Sequence, residues 1–361
     1  MSYSFPSLIP DDIVTIPPVI VSPFTLAEVQ AEPYHLAQRN MSALQPVSGA
    51  GKGVKVGVID TGIDADHPEV SGRLVKATDL TRSRSGSNDR AGHGTHVASS
   101  IVGAKTGGAP QASLYVYKAL GDEGWGQSSW IANAVDKAIE DGVHIINMSL
   151  GSPSPSRVIY DSLKRAYAAG IIVCAATGND SSRRNSYPAD FNDVCMAVAA
   201  IDRNRRRASF SNAGQGTDVC DYGVQVLGAK IGGGFVAMSG TSMATPVCAS
   251  MHANRLSFEM RYGIAYEGPD AWYSKIVGFC DDLGAVGRDG SYGFGQINAL
   301  KAFGTPPSKP DQPVPPTPDP KDPTPSPDTP VDDENELLGA LYRTPSGNLC
   351  FVNTKKQSIV L

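Results

Sequence analysis

Short apolar runs alternate along most of the chain with longer segments whose apolar residues recur at three-to-four spacing. The runs are "VKVGVID", "SLYVYKAL", "VHIINMSL", "GIIVCAAT" and "VCMAVAAI", and they read as strands. Between them, "HGTHVASSIVGA", "SSWIANAVDKAIEDG" and "SRVIYDSLKRAYAAG" carry the helical period. Strand and helix in alternation predict the α/β class, a parallel sheet with helices on both faces. No internal repeat interrupts the pattern.

The alternation fills residues 29–304. Residues 1–28 are apolar and rich in proline, with no clear period. Proline makes up 12 of the 25 residues from 306 to 330, so residues 305–331 form an extended, semi-stiff linker rather than a core. The final stretch, 332–361, regains β-prone character around a "PSGN" turn. It is too short for an independent domain. It docks on the body, engages a partner, or is a processed tail.

Composition narrows the classes. A chain of 361 residues with 41% hydrophobic content can bury one large core with appendages, or two modest ones. A net charge of −5 gives no reason to expect nucleic acid or an anionic membrane as main partner. The basic run Arg203–Arg207 reads as a solvated loop. No apolar window reaches about 18 residues, so no transmembrane helix is expected. The N-terminus lacks a basic segment, and prolines and aspartates break its apolar part, which argues against a secretory signal. Six cysteines are too sparse for a disulfide scaffold. Cys174 and Cys195, in apolar runs, read as buried free thiols. Together these features point to a reducing, cytoplasmic setting, with leaderless export still open.

Three stretches have chemical potential. In "VGVIDTGIDADHPEV", Asp60 ends an apolar strand, and the strand ends of an open parallel sheet line the crevice where ligands bind. A helix-cap or turn aspartate is the competing reading. In "GHGTHVASS", small residues flank His93 and leave its ring approachable. His93 and His96 have a metal-like look, but the glutamate and the i, i+4 spacing of H-E-x-x-H are both missing. No metal site is expected there, and His96 reads as a structural histidine. In "SGTSMATP", Gly240 permits unusual backbone angles and Pro246 suits a helix start. Ser242 is thus expected at a strand-to-helix turn, either as an ordinary cap or as a nucleophile beside backbone N–H groups suited to an oxyanion.

Asp60, His93 and Ser242, in that order and in those contexts, make the chain resemble the subtilisin-like serine proteases. The resemblance runs from about Gln30 to Ala302 and includes "VIDTGID..HP", "GHGTHVA", "LYVYKAL", "GWGQ", "INMSLG", "ATGND", "ASFSNAG", "SGTSMATP" and "GFGQINALKA". It implies a three-layer fold with a mostly parallel central sheet and helices on both faces. It also implies a serine endopeptidase. Ser242 would attack the scissile carbonyl, His93 would take and return the proton, and Asp60 would hold the imidazole. Asn179 and the Ser242 N–H would form the oxyanion hole, although Asn179 beside Gly178 also suits a plain turn. Gly124, Trp125 and Gly126 on one side, and Ser149, Leu150 and Gly151 on the other, would bracket an extended peptide. Trp125 would wall a pocket or simply pack, and Asp180 would attract a basic side chain.

Departures from the family sharpen these expectations. The loop "GAKTGGAPQA" is short where many relatives bind calcium tightly, and Glu69 replaces an aspartate although Gln30 is retained. No tight calcium site is expected here, no cofactor is required, and weak calcium binding elsewhere stays open. "PYHLAQRN" matches a mature start, so only residues 1–28 precede it. That resembles intracellular members, whose short leader carries a Leu-Ile-Pro segment that blocks the cleft, and Leu8-Ile9-Pro10 fits. Residues 1–28 are therefore expected to inhibit until cleaved, or else to pack as a plain arm. Val247 and Thr177 differ from common family residues without touching the proton relay. Expected partners are peptide or protein substrates, with docking of a further partner through residues 332–361. The competing class is a catalytically silent peptide-binding or structural protein that keeps the fold.

Overall fold

The computed structural model of the chain describes residues 12–304, 340–343, 349–352 and 358–360. Its strands up to residue 304 are β1 (Ile13–Thr15), β2 (Ile20–Ser22), β3 (Lys55–Asp60), β4 (Leu74–Asp79), β5 (Ser113–Lys118), β6 (Trp125–Gln127), β7 (Ile145–Met148), β8 (Ile172–Ala176), β9 (Met196–Ile201), β10 (Val219–Tyr222), β11 (Val226–Ala229), β12 (Phe235–Ser239), β13 (Cys280–Asp281) and β14 (Gln296–Ile297). Its helices are α1 (Leu26–Gln30), α2 (Tyr34–Ala37), α3 (Met41–Ser48), α4 (His93–Val102), α5 (Ser128–Glu140), α6 (Arg157–Ala168), α7 (Thr241–Tyr262), α8 (Pro269–Gly278) and α9 (Ala299–Phe303).

Seven strands form one sheet in the order β10-β9-β8-β7-β3-β5-β4, and every neighbouring pair is parallel. All five apolar runs read from the sequence are strands of this sheet. The two that the pattern missed, β4 and β10, are its edges. β4 has no fully buried residue, and β10 carries Asp221, whose charge breaks the apolar signal. Asp221 is buried because Arg39 of the preceding segment pairs with it.

Alternation along each central strand divides the core between two layers. Ile172 and Cys174 of β8 face the side covered by Val97 and Ile101 of α4 and by Val247 and Met251 of α7. Val173 and Ala175 face Ile131 and Val135 of α5 and Ile159 and Leu163 of α6. This is the three-layer α/β arrangement expected. Both α4 and α7 are sunk into the first layer, and every residue of α4 is buried. Parallel strands place all their C-terminal ends on one edge. The ends of β3, β7 and β8 there carry Asp60, Ser149 and, after a short loop, Asn179.

Residues 12–22 are not aperiodic filler. β1 pairs antiparallel with β6, and β2 pairs antiparallel with β12. The arginine run is also not simply solvated. Arg205 pairs with Asp281 at 3.0 Å, Arg207 donates to the Ser211 carbonyl at 2.6 Å, and Arg203 lies over the Tyr34 ring. No helix among the described residues is long and apolar enough to cross a membrane.

Residues 304–361 form a separate unit. Its described segments, Ala340–Arg343, Leu349–Val352 and Ser358–Val360, pair antiparallel, in keeping with the β-prone reading around the turn. The linker read at 305–331 and the Leu8-Ile9-Pro10 segment lie outside the described residues, as does most of the stretch read as a docking tail.

Ile101 of α4 is fully buried in the first core layer. Replacing it by alanine is expected to cost about 2–5 kcal/mol. Urea unfolding of Ile101→Ala in a Ser242→Ala background checks this, and an unchanged midpoint would contradict the packing described.

Candidate active site

Two helix N-termini meet the strand ends. Asp60 is the last residue of β3, His93 the first of α4 and Ser242 the second of α7. Asp60 and His93 are buried, and His93 Nδ1 lies 2.8 Å from Asp60 Oδ1. The same oxygen accepts the Thr61 N–H at 2.7 Å. Asp60 Oδ2 and His93 Nε2 are buried without a hydrogen-bond partner.

Residues that the sequence reading passed over hold this pair. Asp89 accepts the N–H groups of Gly92 at 2.8 Å and Thr95 at 2.9 Å, and the Thr95 hydroxyl at 2.8 Å. It therefore caps the start of α4, where backbone donors lack helical partners. Asp89 also accepts the Thr61 hydroxyl at 2.9 Å, and Thr61 Oγ1 accepts the Gly94 N–H at 2.9 Å. One carboxylate and one hydroxyl thus fasten the end of β3 to the first turn of α4. Gly94 is needed for space, since a Cβ there would fall 2.3 Å from the Gly62 carbonyl oxygen. The buried Lys118 ammonium donates to the carbonyls of Thr61 and Asn88 and pairs with Asp122 at 3.0 Å.

On α7, Pro246 has no N–H to give the carbonyl of Ser242 four residues back. The Ser149 hydroxyl takes that carbonyl instead, at 2.8 Å. Ser242 Oγ in turn donates to the Ser149 carbonyl at 3.3 Å. The serine hydroxyl therefore joins the residue that follows β7 and is not in the hydrogen-bonded row of Asp60 and His93. Asn179 Oδ1 accepts both the N–H and the hydroxyl of Thr241, at 2.8 and 2.9 Å. Thr241 thereby turns the Asn179 amide N–H groups outward, a positioning role that the sequence reading did not assign. Gly240 corrects an expectation: its φ of 166° is extended backbone open to any residue. Its value is room, since a Cβ would sit 3.0 Å from Asn179 Nδ2.

The crevice holds the chain's own N-terminal segment. Thr15 exchanges two backbone hydrogen bonds with Gly151, at 3.0 and 2.8 Å, and the Ile16 N–H reaches the Gly124 carbonyl at 3.0 Å. Val14 and Thr15 stand opposite Gly126 and Trp125, and the Val14 side chain is buried with Leu150 and Ile131. The Pro18 carbonyl accepts Asn179 Nδ2 at 2.7 Å. Gly124, Trp125, Gly126 and Gly151 thus lie against this strand of the chain itself. Ser149 contacts Ser242, and Leu150 lies under the strand as part of the core.

A profile of the Subtilase family matches residues 51–271, more than half of the chain. The chain belongs to the subtilase family. Subtilisin E of Bacillus subtilis (strain 168) is 40% identical over 237 residues, which cover 63% of this chain and 62% of that protein. Subtilisin Savinase of Lederbergia lenta is 39% identical over 229 residues, 62% of this chain and 84% of that one. The chain spans 62% of the length of subtilisin amylosacchariticus and subtilisin J as well.

The other candidate residues of this subtilase have local roles. His96 lies within hydrogen-bond distance of the Val226 carbonyl, 3.1 Å from Nε2. Val247 is core, and Thr177 is buried. Asp180 is exposed and takes its place in a turn, its N–H donating to Asn212 Oδ1 at 2.9 Å. Trp125 is 41% exposed and stacks on Trp130. Glu69 does not face an open cavity, since its carboxylate accepts the N–H groups of Lys105 and Thr106 and the Thr106 hydroxyl. Gln30 is exposed.

Burial pulls the His96 pKa down to about 3 and that of His35 down to about 4. Unfolded, each binds a proton near pH 6.5. The unfolded state therefore binds more protons between pH 6.5 and about 3 to 4, and stability falls as pH drops through that window. Each histidine contributes a slope of about 1.4 kcal/mol per pH unit. Denaturant midpoints from pH 7 to 4.5 are expected to fall accordingly, and His96→Gln to flatten the curve by one proton. Parallel curves for the two proteins would refute the assignment.

Proposed function

We propose that this subtilase is a serine endopeptidase, with Ser242 as nucleophile, His93 as general base and acid, and Asp60 holding the imidazolium. The observation that carries the reading is a peptide carbonyl, that of Pro18, on the Asn179 amide, which Thr241 ties to the start of α7 next to Ser242, at the strand-end edge that also carries the Asp60–His93 pair. A carbonyl held there would gain hydrogen bonding as its oxygen becomes an oxyanion. Asn179 and the Ser242 N–H are the proposed donors. Gly124 to Gly126 and Ser149 to Gly151 bind the substrate backbone, and the seat of Val14 favours an aliphatic side chain in peptide or protein substrates.

The same segment supports an inhibitory role for residues 1–28. It binds as a substrate would, but Pro17 and Pro18 offer no N–H. The Ser149 carbonyl, deprived of a peptide donor, takes the Ser242 hydroxyl. The nucleophile is parked away from His93 Nε2, and the leader resists cleavage. The blocking residues are then Thr15 to Val19 rather than Leu8-Ile9-Pro10 alone. The buried free thiols Cys174, Cys195, Cys220, Cys248 and Cys280 support a reducing, cytoplasmic site of action.

We further propose that no calcium is needed at Glu69. Its oxygens are committed to loop donors, and the Lys105 ammonium, bonded to the Val29 carbonyl, sits where a divalent cation would meet like charge. A chelator is expected to leave the melting temperature of the full chain unchanged. A drop of several degrees, restored by calcium, would overturn this.

An active-serine phosphonate should label the leader-free enzyme at Ser242, and Ser242→Ala should abolish labelling and peptide hydrolysis together. Asn179→Ala should lower kcat by about 10²- to 10³-fold; that magnitude is subtilisin's own and is borrowed from it. Deleting residues 1–28 should raise the initial rate on a peptide substrate, and Pro17→Ala with Pro18→Ala should make the leader cleavable. Absence of labelling in the truncated protein would favour the silent peptide-binding alternative, whereas labelling without any rate gain would remove only the inhibitory leader.

A further inference from the structure

The most unusual feature of the core lies behind the active site, on the first layer of the sheet. Cys174 of β8 meets Cys248 and His252 of α7, and one donor atom from each lies within 4.8 Å of the others. All three residues are fully buried. Each position faces a layer otherwise filled by apolar side chains, so packing alone calls for no such trio. Trp272 Nε1–H donates to His252 Nδ1 at 2.8 Å. A tryptophan N–H can only donate, so the neutral ring carries its proton on Nε2. That Nε2 is buried without a hydrogen-bond partner, an uncommon and costly state for a donor.

This tautomer disfavours a metal ion on Nε2, which would need a lone pair there and a proton on Nδ1, facing the Trp272 donor. It suits a different chemistry: an N–H donor beside two sulfurs stabilises a thiolate. We propose that Cys174 and Cys248 form a dithiol that hydrogen peroxide oxidises to a disulfide, covalently tying β8 to α7. With Cys248 and His252 beside it, the Cys174 thiol is held below its usual range, while its Cys174 neighbour and burial push the Cys248 thiol up. On this proposal Cys174 attacks and Cys248 resolves.

The steps balance. The Cys174 thiolate attacks one peroxide oxygen, the O–O bond breaks, and hydroxide leaves with a proton as water. The Cys248 sulfur then attacks the Cys174 sulfenic sulfur, the S–O bond breaks, and the thiol proton leaves with that oxygen as a second water. In net terms, two thiols and one peroxide give one disulfide and two waters. Peroxide is a small oxidant, and a cleft reaches residues next to the cluster. This cleft of about 380 Å³, lined by Ile172, Val173, Met196, Trp272 and Tyr273, ends at neighbours of the cluster: Met196 pairs in register with Cys174, and Trp272 holds His252.

The placement gives the bond a consequence, resting here on the peptidase reading. β8 runs into the Asn179 loop and α7 carries Ser242 in its first turn, so the link joins the two elements that carry oxyanion donor and nucleophile. The test reads the bond itself and stands apart from activity. Full-length protein is treated with hydrogen peroxide, alkylated, digested and analysed by mass spectrometry. The expected results are a loss of about 2 Da with a Cys174–Cys248 cross-linked peptide, reversal by dithiothreitol, and a melting temperature raised by a few degrees. In Cys248→Val, Cys174 should stall as a sulfenic acid trapped by dimedone. Both cysteines alkylated after peroxide, a disulfide between other cysteines, or stoichiometric zinc uptake that blocks oxidation would each overturn the proposal.

Discussion

Everything at the crevice depends on one buried hydrogen bond, 2.8 Å from His93 Nδ1 to Asp60 Oδ1. A carboxylate with no exposure is expensive unless its partners are fixed. One of its oxygens has two donors and the other has none. Such an arrangement survives only if strand and helix cannot drift apart. Asp89 and Thr61 supply that rigidity at the loop, and the complete burial of α4 supplies it along the helix. Neither device touches a substrate. Hydrogen bonds to charged groups are worth about 1.5–3 kcal/mol each, and Asp89 accepts them from both the end of β3 and the first turn of α4.

The second helix obeys a related rule. Pro246 removes a helical hydrogen bond at the point where α7 meets β7, and the Ser149 side chain takes the orphaned carbonyl. A residue that elsewhere weakens helices here opens a socket into which a neighbouring strand locks. The same amino acid recurs across the crevice. Pro17 and Pro18 likewise bring no N–H to the crevice, and the Ser149 carbonyl there accepts the Ser242 hydroxyl. The missing N–H of Pro246 thus accounts for the anchoring of the Ser242 carbonyl on Ser149.

How much of this was legible in the sequence follows from the range of each interaction. The central strands and the helices against them could be read because burial on both faces writes long apolar runs and clear helical periods. β4 and β10 could not, because edge strands carry polar residues whose partners, such as Arg39 for Asp221, come from distant segments. Asp60, His93, Ser242 and Asn179 stood out only through their joint order and resemblance. Asp89 and Thr241 were passed over, although an aspartate shortly before "GHGTH" was a faint capping signal. Gly240 was noticed for the wrong reason, since free space around a residue is a tertiary property while φ preference is local. β1 and β2 had no signal of their own, because three-residue strands without a period exist only through the edges they pair with.

The Cys174, Cys248 and His252 cluster follows from the same logic as the crevice. Local sequence predicted buried thiols, which is correct as far as one residue at a time can go. The i, i+4 spacing of Cys248 and His252 on α7 aligns them on one helix face, and the alternation of β8 turns Cys174 toward that face. Only the crossing of helix over strand brings the three together. Once they meet, a tryptophan donor decides which nitrogen carries the proton, and that single choice separates a thiolate partner from a metal ligand. The chemistry of this core is therefore written less in the sulfurs than in Trp272, a residue that reacts with nothing.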